Sequence, residues 1–462
     1  RGPSPARVPR GPPHIETAVS PSPESFVAFF RAASPYIHAH RGRTFVVQFG
    51  GEAVEDPRFN NLVQDLALLS SLGIRLVLVH GVRPQIDSRL AARGIPARFH
   101  LGLRVTDDAV LTAAKEAAGA ARVEIESLLS MGLTNSPMAG ARIRVASGNF
   151  VTARPVGVRD GVDFGHTGEV RRIDRSGLEH QIAQGNVVLV SPIGYSPTGE
   201  AFNLSNEEVA TAIAVELRAD KLLLLGERGC LGRADGSPVR QFTLEEANAH
   251  LAGLKGAGEG RESERVRHLE SAVYACQSGV RRAHLLDRRV DGALLLELFT
   301  RDGVGTLVSA APYEHLRRAN IEDVGGLLEL IRPLEEEGIL VRRPREKLER
   351  EIEQFTVVER DGAIIACAAL YPYAGQVLAE LACLAVDPAY RNLGLGARLL
   401  ESTERDALDL GARGLFVLTT RTSHWFRERG FEPGSLDDLP VERQTTYNFQ
   451  RGSKILVKWL QA

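Results

Sequence analysis

Lysine is scarce in this chain, with six residues against 50 arginines among the 56 basic side chains. A single arginine therefore says little about function, and arginines count below only inside a longer pattern. Cysteine is rarer still. Cys230, Cys276, Cys367 and Cys383 are scattered, with no C-x-x-C pair, which excludes a disulfide framework or zinc cluster and fits free, buried thiols in a reducing compartment. No metal site is expected. No apolar run approaches the ~18 residues of a membrane helix. With 56 basic and 58 acidic side chains and a net charge of -2, no global field draws the chain to nucleic acid or membrane. A cytoplasmic location is the expectation.

The composition, 44% hydrophobic over 462 residues, suffices for two or three globular domains. The first 23 residues, RGPSPARVPRGPPHIETAVSPSP, combine Pro, Arg, Ser and Gly with almost no acids and are expected to be a disordered tail. Their prolines argue against the amphipathic helix of a transit peptide.

From residue 24 to 308 apolar strands alternate with helical stretches: TFVVQF (44–49), a helix near 59–72, RLVLVH (75–80), NVVLVSPI (186–193), a helix at 206–218 and KLLLLG (221–226). This order predicts an α/β unit, a mostly parallel sheet sandwiched by helices. RDGVGTLVSAAPYEHLRRAN (301–320) reads as a boundary. Residues 309–462 then predict an α+β domain: helices at 321–337 and 344–354, an antiparallel run at 355–373 with an Asp-Gly turn at 361–362, a strand at 379–386, a helix at 396–410, and strands at 415–420 and 453–460.

The second domain carries the chemistry. In YRNLGLGARLL (390–400), Gly394 and Gly396 let the backbone turn its N–H groups toward one point, where the next helix adds its positive end. That suits a pyrophosphate, although an ordinary strand-to-helix turn looks much the same. The strand CLAV, Asp-Pro, then R-x-x-G-x-G at 391–396 resembles the coenzyme A loop of GNAT-type N-acetyltransferases. The resemblance implies acetyl-CoA along strand 379–386, held by Leu384, Val386, Arg391, Asn392, Gly394, Leu395 and Gly396.

Arginines recur in LVRRPREKL (340–348) and LPVERQTTYNFQRGSKIL (439–456). Guanidinium forks bind carboxylates two bonds at a time; the plainer reading of each is a solvated surface charge. With LFVLTTRTSHWFRERGF (415–431), these stretches resemble the acetyltransferase domain of bacterial-type N-acetylglutamate synthases. The resemblance implies that Arg343, Arg443 and Arg451 hold the carboxylates of L-glutamate, beside Cys383 and Thr419, with Glu380 as general base. Otherwise Glu380 is a strand-edge carboxylate facing solvent. A backbone N–H near Cys383 would meet the oxyanion. No histidine stands near Cys383 to activate a covalent thiol. Thr419 is a candidate acid for the leaving thiolate, which could also depart unaided.

FVVQFGGEA (45–53), LVLVHGVRPQID (76–87), LRVTD (103–107), SGNFVTARP (147–155) and LLLELFTRDGVGT (294–306) resemble the amino acid kinase fold, nearest to N-acetylglutamate kinases. Three positions depart from it: Gln48 for a catalytic lysine, Gly81-Val82-Arg83 for a glycine triplet, and Asn206 for an aspartate. Phosphoryl transfer needs those charges and bare amides, so ATP chemistry is expected to be absent. His284, Glu297 and Gly303 match arginine-binding positions of arginine-sensitive kinases, and the helix at 25–40 with Tyr36 resembles their interlacing dimer helix. These features imply L-arginine as effector, inhibiting the first step of its own synthesis, and a homo-oligomer. The plainer readings are a core histidine and a helix packed on its own domain. Kept open are a bifunctional synthase and kinase, a cationic acceptor, and an arginine-binding regulator with a degenerate acetyltransferase half.

Overall fold

The computed structural model describes residues 22–132, 138–227, 231–232, 238–260, 263–300, 303–310, 315–360, 362–373, 375–391 and 394–460. The expected tail therefore lies outside the described residues except at Ser22 and Pro23, which begin a helix instead. Ser22 Oγ accepts from the Ser25 N–H at 3.2 Å and Pro23 occupies the first turn, where its missing N–H costs nothing. Cys230, Asp361 and Asn392 also lie outside the described residues.

After α1 (Pro23–His40), eight strands form one sheet: β1 (Thr44–Phe49), β2 (Arg75–His80), β3 (Val145–Ala146), β4 (Val187–Val190), β5 (Lys221–Gly226), β6 (Gln241–Thr243), β7 (Arg282–Asp287) and β8 (Thr306–Ser309). Their spatial order is β6-β8-β7-β5-β1-β2-β4-β3. Only the β7–β8 pair is antiparallel. The central strands are mostly apolar because both faces are covered. On one side Phe45, Val47 and Phe49 of β1 pack under α2 (Phe59–Ser71), α4 (Asp108–Leu129) and α7 (Ala293–Phe299). On the other, Val46, Val77 and Val79 meet α5 (Asn206–Glu216) and α6 (Glu264–Gln277). Helix α3 (Arg83–Ala92) follows β2, and a four-stranded sheet formed by residues 151–155, 168–173, 193–195 and 201–203 flanks the crevice at the carboxyl ends of β1 and β2.

A second sheet has seven strands: β9 (His315–Arg318), β10 (Phe355–Arg360), β11 (Ala363–Pro372), β12 (Leu378–Val386), β13 (Gly414–Thr419), β14 (Glu432–Pro433) and β15 (Lys454–Trp459), in the order β9-β10-β11-β12-β13-β15-β14. Helices α8 (Val324–Glu336) and α9 (Arg345–Glu351) cover one face and α10 (Leu395–Asp409) the other. Short helices α11 (Ser423–Arg427) and α12 (Val441–Thr445) lie beyond β13 and β14. The architecture is a helix-covered, mostly parallel α/β sheet followed by an α+β domain, as the alternation of elements implied.

Candidate active site

Strands β12 and β13 pair in parallel only from Leu378–Glu380 to Gly414–Phe416; past Glu380 they part. The cause lies in β12 itself. Its pairing with β11 slips between Cys367 and Ala369, and Cys383 takes a left-handed backbone with φ of 51°, rare for a residue with a side chain. The bulge swings residues 381–386 away from β13 and leaves a fork with Glu380 at its base.

Five of the residues expected to hold acetyl-CoA frame one arm. Leu384 and Val386 lie half-buried on the free part of β12. Gly394 has φ of 77° and caps α10, whose first turn is Leu395 and Gly396. A Cβ on Gly396 would stand 3.2 Å from the Trp425 ring. Trp425 in turn packs edge-on to Phe426 and carries the Arg429 guanidinium at 3.9 Å. Sequence reasoning missed this indole wall. Arg391 is exposed in the preceding turn.

At the base of the fork Glu380 is held from two sides. Arg443 on α12 donates from Nε to Oε2 at 2.8 Å and from Nη2 to Oε1 at 3.2 Å. The Tyr373 hydroxyl donates to Oε2 at 2.8 Å. Burial, then the Glu380 charge, pushes the Tyr373 phenol upward, so it stays a donor. The solvent-facing reading of Glu380 fails: its side chain is 11% exposed. Tyr373 is a second residue that the sequence reading overlooked.

Arg343 is partly buried, with Nε unpaired and Nη1 donating to the Val341 carbonyl at 3.2 Å. Burial lowers its pKa, but the Cys383 thiol, Tyr371 and Glu351 outweigh that and raise it. Arg451 donates to the Ile339 carbonyl. Its pKa falls through burial and then through repulsion from Arg343 and Arg443. The three guanidiniums thus face one region, drawn from segments about a hundred residues apart. Cys383 packs in the apolar layer beneath α8 while its carbonyl accepts from Cys367 Sγ at 3.4 Å. Thr419 stands on the opposite arm. Its Oγ1 shares a hydrogen bond with Thr422 Oγ1 at 2.9 Å and accepts from the Thr422 N–H; among the described residues its partners lie in that turn.

In the first domain, Gln48 is 1% exposed with Oε1 unpaired, and it borders a cavity of about 100 Å³ with Arg83, Asn206, Glu207 and Arg267. Val82 turns into the layer between α3 and α4, so it is Arg83 that intrudes on the crevice. His80 is fully buried and hydrogen-bonded to Ser191 at 2.9 Å.

On β7, His284 Nδ1 stands 2.6 Å from Glu297 Oε1, and Lys221 Nζ 3.3 Å from His284 Nε2. The lysine donates to Nε2, so Nδ1 carries the proton and donates to the carboxylate. Burial, then Lys221, lowers His284 to about 4, and Glu297 is lowered to about 2: burial opposes this, and the His284 hydrogen bond outweighs it. The pair is a neutral imidazole on a carboxylate. Glu297 Oε2 accepts from Val304 and Gly305 at 2.8 Å each. Gly303 has φ of 58°, and a Cβ there would lie 2.4 Å from that oxygen. Lys221 joins this cluster unforeseen, because it opens a strand that reads as core. Tyr36 packs half-buried on the same domain, and His40 Nε2 reaches the Leu298 carbonyl at 2.9 Å. The C-terminal half of α1 is therefore docked, whereas Phe26, Phe29 and Phe30 are more than half exposed.

Among the described residues no His, Cys, Asp and Glu group is arranged to hold a metal, and no helix is long and apolar enough to cross a membrane.

Fold and fork define an N-acetyltransferase joined to an amino acid kinase-type sheet. Residues 43–287 match the amino acid kinase family and 325–431 the acetyltransferase (GNAT) family. The amino-acid acetyltransferase of Azotobacter vinelandii is 58% identical over 435 residues, 94% of this chain and 99% of its own; that of Pseudomonas aeruginosa is 57% identical over the same lengths. The crystal structure of N-acetylglutamate synthase from Neisseria gonorrhoeae complexed with coenzyme A and L-arginine is similar at 40% identity and a TM-score of 0.85, over 95% of this chain and all of that one. The chain belongs to the amino-acid acetyltransferase family of N-acetylglutamate synthases. The gonococcal enzyme complexed with coenzyme A and N-acetyl-glutamate matches over the same share of both chains with a TM-score of 0.60.

Proposed function

We propose that the enzyme transfers the acetyl group of acetyl-CoA to the α-amine of L-glutamate, and that L-arginine inhibits it. The observation that carries the acceptor is the pairing of Arg443 with Glu380, together with the mutual repulsion of Arg451 with Arg343 and Arg443. Three neighbouring guanidiniums suit an acceptor with two carboxylates; a cationic acceptor would be repelled by them. The donor would lie in the fork, its diphosphate on the amides of Leu395 and Gly396 at the positive end of α10.

In the reaction Glu380 takes one proton from the acceptor ammonium, directly or through water. The freed nitrogen pair forms the C–N bond to the thioester carbonyl, whose oxyanion meets a backbone N–H near Cys383. The C–S bond then breaks and its electrons leave on sulfur. The second proton shed by nitrogen balances the thiolate, from Thr419 or solvent.

The cluster of Lys221, His284, Glu297 and Gly303 is the proposed arginine site, and Tyr36 on α1 belongs to the same region. The higher similarity to the complex with L-arginine (TM-score 0.85) than to the one with N-acetyl-glutamate (0.60) supports regulation by a change in arrangement. We further propose that the exposed phenylalanines of α1 join subunits, that the first domain transfers no phosphate, that the enzyme works in the cytoplasm, and that it serves arginine biosynthesis. The test is thiol release from acetyl-CoA on adding L-glutamate without ATP, repeated with L-arginine. Release that requires glutamate and falls with arginine is expected. Release unaffected by glutamate sinks the acceptor.

A further inference from the structure

The two hydrogen-bond donors on Glu380 do not divide its oxygens evenly. Among the described residues Oε2 receives both Tyr373 and Arg443 Nε, whereas Oε1 receives Arg443 Nη2 alone. If the guanidinium leaves, Oε2 stays anchored to the phenol and Oε1 is bare. Tyr373 is well placed to remain: its ring packs on Phe416 with centroids 6.0 Å apart, and just past the end of β11 its carbonyl accepts from the Gln376 N–H at 3.1 Å. Arg443 is freer to move. It rides on a five-residue helix whose first residue is exposed, and among the described residues its Nη1 reaches Thr446 of the same segment, Oγ1 at 3.2 Å and the carbonyl at 3.3 Å.

We propose that Arg443 latches the catalytic carboxylate until an acceptor carboxylate claims its fork, and that Tyr373 is the positioning residue that then holds Glu380 by one oxygen and presents the other to the ammonium. This rests on the reading of L-glutamate as acceptor. One guanidinium serves two carboxylates in turn, so binding the substrate and uncovering the base are a single exchange. An acceptor without that carboxylate leaves the base occupied, and the exchange thereby contributes to specificity.

The latch makes acceptor binding compete with an internal ion pair, so weakening the pair tightens binding while stopping turnover. Titration calorimetry of the full-length enzyme with L-glutamate and with N-acetyl-L-glutamate, coenzyme A present, tests this. Glu380→Gln should bind N-acetyl-L-glutamate, which keeps both carboxylates but offers Glu380 no ammonium, roughly tenfold more tightly than the unaltered enzyme, the scale of one charge-assisted hydrogen-bonded contact that no longer has to break. Glu442→Gln removes the neighbouring exposed acid near Tyr373 and should leave the affinity within about twofold, which separates the latch from a general loss of negative charge. Equal tightening in both variants, or no tightening in Glu380→Gln, overturns the latch. Absence of any heat from L-glutamate with the unaltered enzyme overturns the acceptor reading and the latch with it. Tyr373→Phe keeps the ring packing. It should lower kcat about tenfold with the KM for L-glutamate unchanged or reduced and acetyl-CoA affinity unchanged. A Tyr373→Phe enzyme with normal kcat, or one that loses acetyl-CoA affinity equally, overturns the positioning role.

Discussion

Gly303 has no room for a methyl group. Its φ of 58° and the Glu297 oxygen 2.4 Å from a Cβ mean that Gly303→Ala must either unwind the turn or displace the carboxylate, at a cost of about 1–2 kcal/mol for the backbone alone. The expected enzyme turns over normally without arginine but is no longer inhibited by it. Inhibition retained at unaltered concentration would remove Gly303 from the effector site. The buried imidazoles make a second prediction. His80 and His284 are each lowered to about 4 from 6.5, mainly by burial. The unfolded chain takes up protons below about 6.5 whereas the folded chain does not until about 4, so stability present at neutral pH is lost as pH falls through that window. Thermal unfolding temperatures should decline from pH 7 to 5; a level profile would contradict neutral burial. At this scale the sequence was unevenly legible. Gln48, Arg83 and Glu380 stand out because a reactive position holds the wrong or the lone charge. Tyr373, Trp425 and Lys221 did not, because they matter only through partners that folding brings from elsewhere in the chain.

Elements were far more readable than their contacts. The helix expected at 396–410 spans 395–409, since Gly394 fixes its start. The strand expected at 379–386 begins one residue earlier. No periodicity, however, announces that this strand bulges at Cys383, because a bulge is a property of the pair of strands. α1 divides the two readings given to it. Ala33, Tyr36, Ile37 and His40 pack on their own domain, while the preceding turns leave Phe26, Phe29 and Phe30 exposed. Three neighbouring phenylalanines on one short stretch form the kind of patch that a partner covers. Phe29→Glu with Phe30→Glu should reduce the mass measured by light scattering in solution by at least half, with acetyl transfer retained in the smaller species. An unchanged mass would assign subunit contacts to another surface.

The alternation of strands and helices made both sheets legible, yet nothing in the sequence indicates how one stands relative to the other. The first domain poses a question that belongs to the whole molecule, whether a kinase scaffold still works. Gln48 supplies no cation, Asn206 no anion, and Arg83 borders the crevice. With ATP and N-acetyl-L-glutamate no ADP should form, and Gln48→Lys alone should not restore it, because Arg83 and Asn206 remain. ADP release by the unaltered enzyme would revive the bifunctional reading.

The fork between β12 and β13 has a thermodynamic side. Past Glu380 the two strands give up the ladder between them, so the backbone groups on their inner edges need partners other than each other. A donor lying in the gap, as proposed, would bind the folded chain alone, and its occupancy should raise the unfolding free energy by mass action. The domain is then least robust when idle, and the supply of donor sets the lifetime of the catalyst as well as its rate.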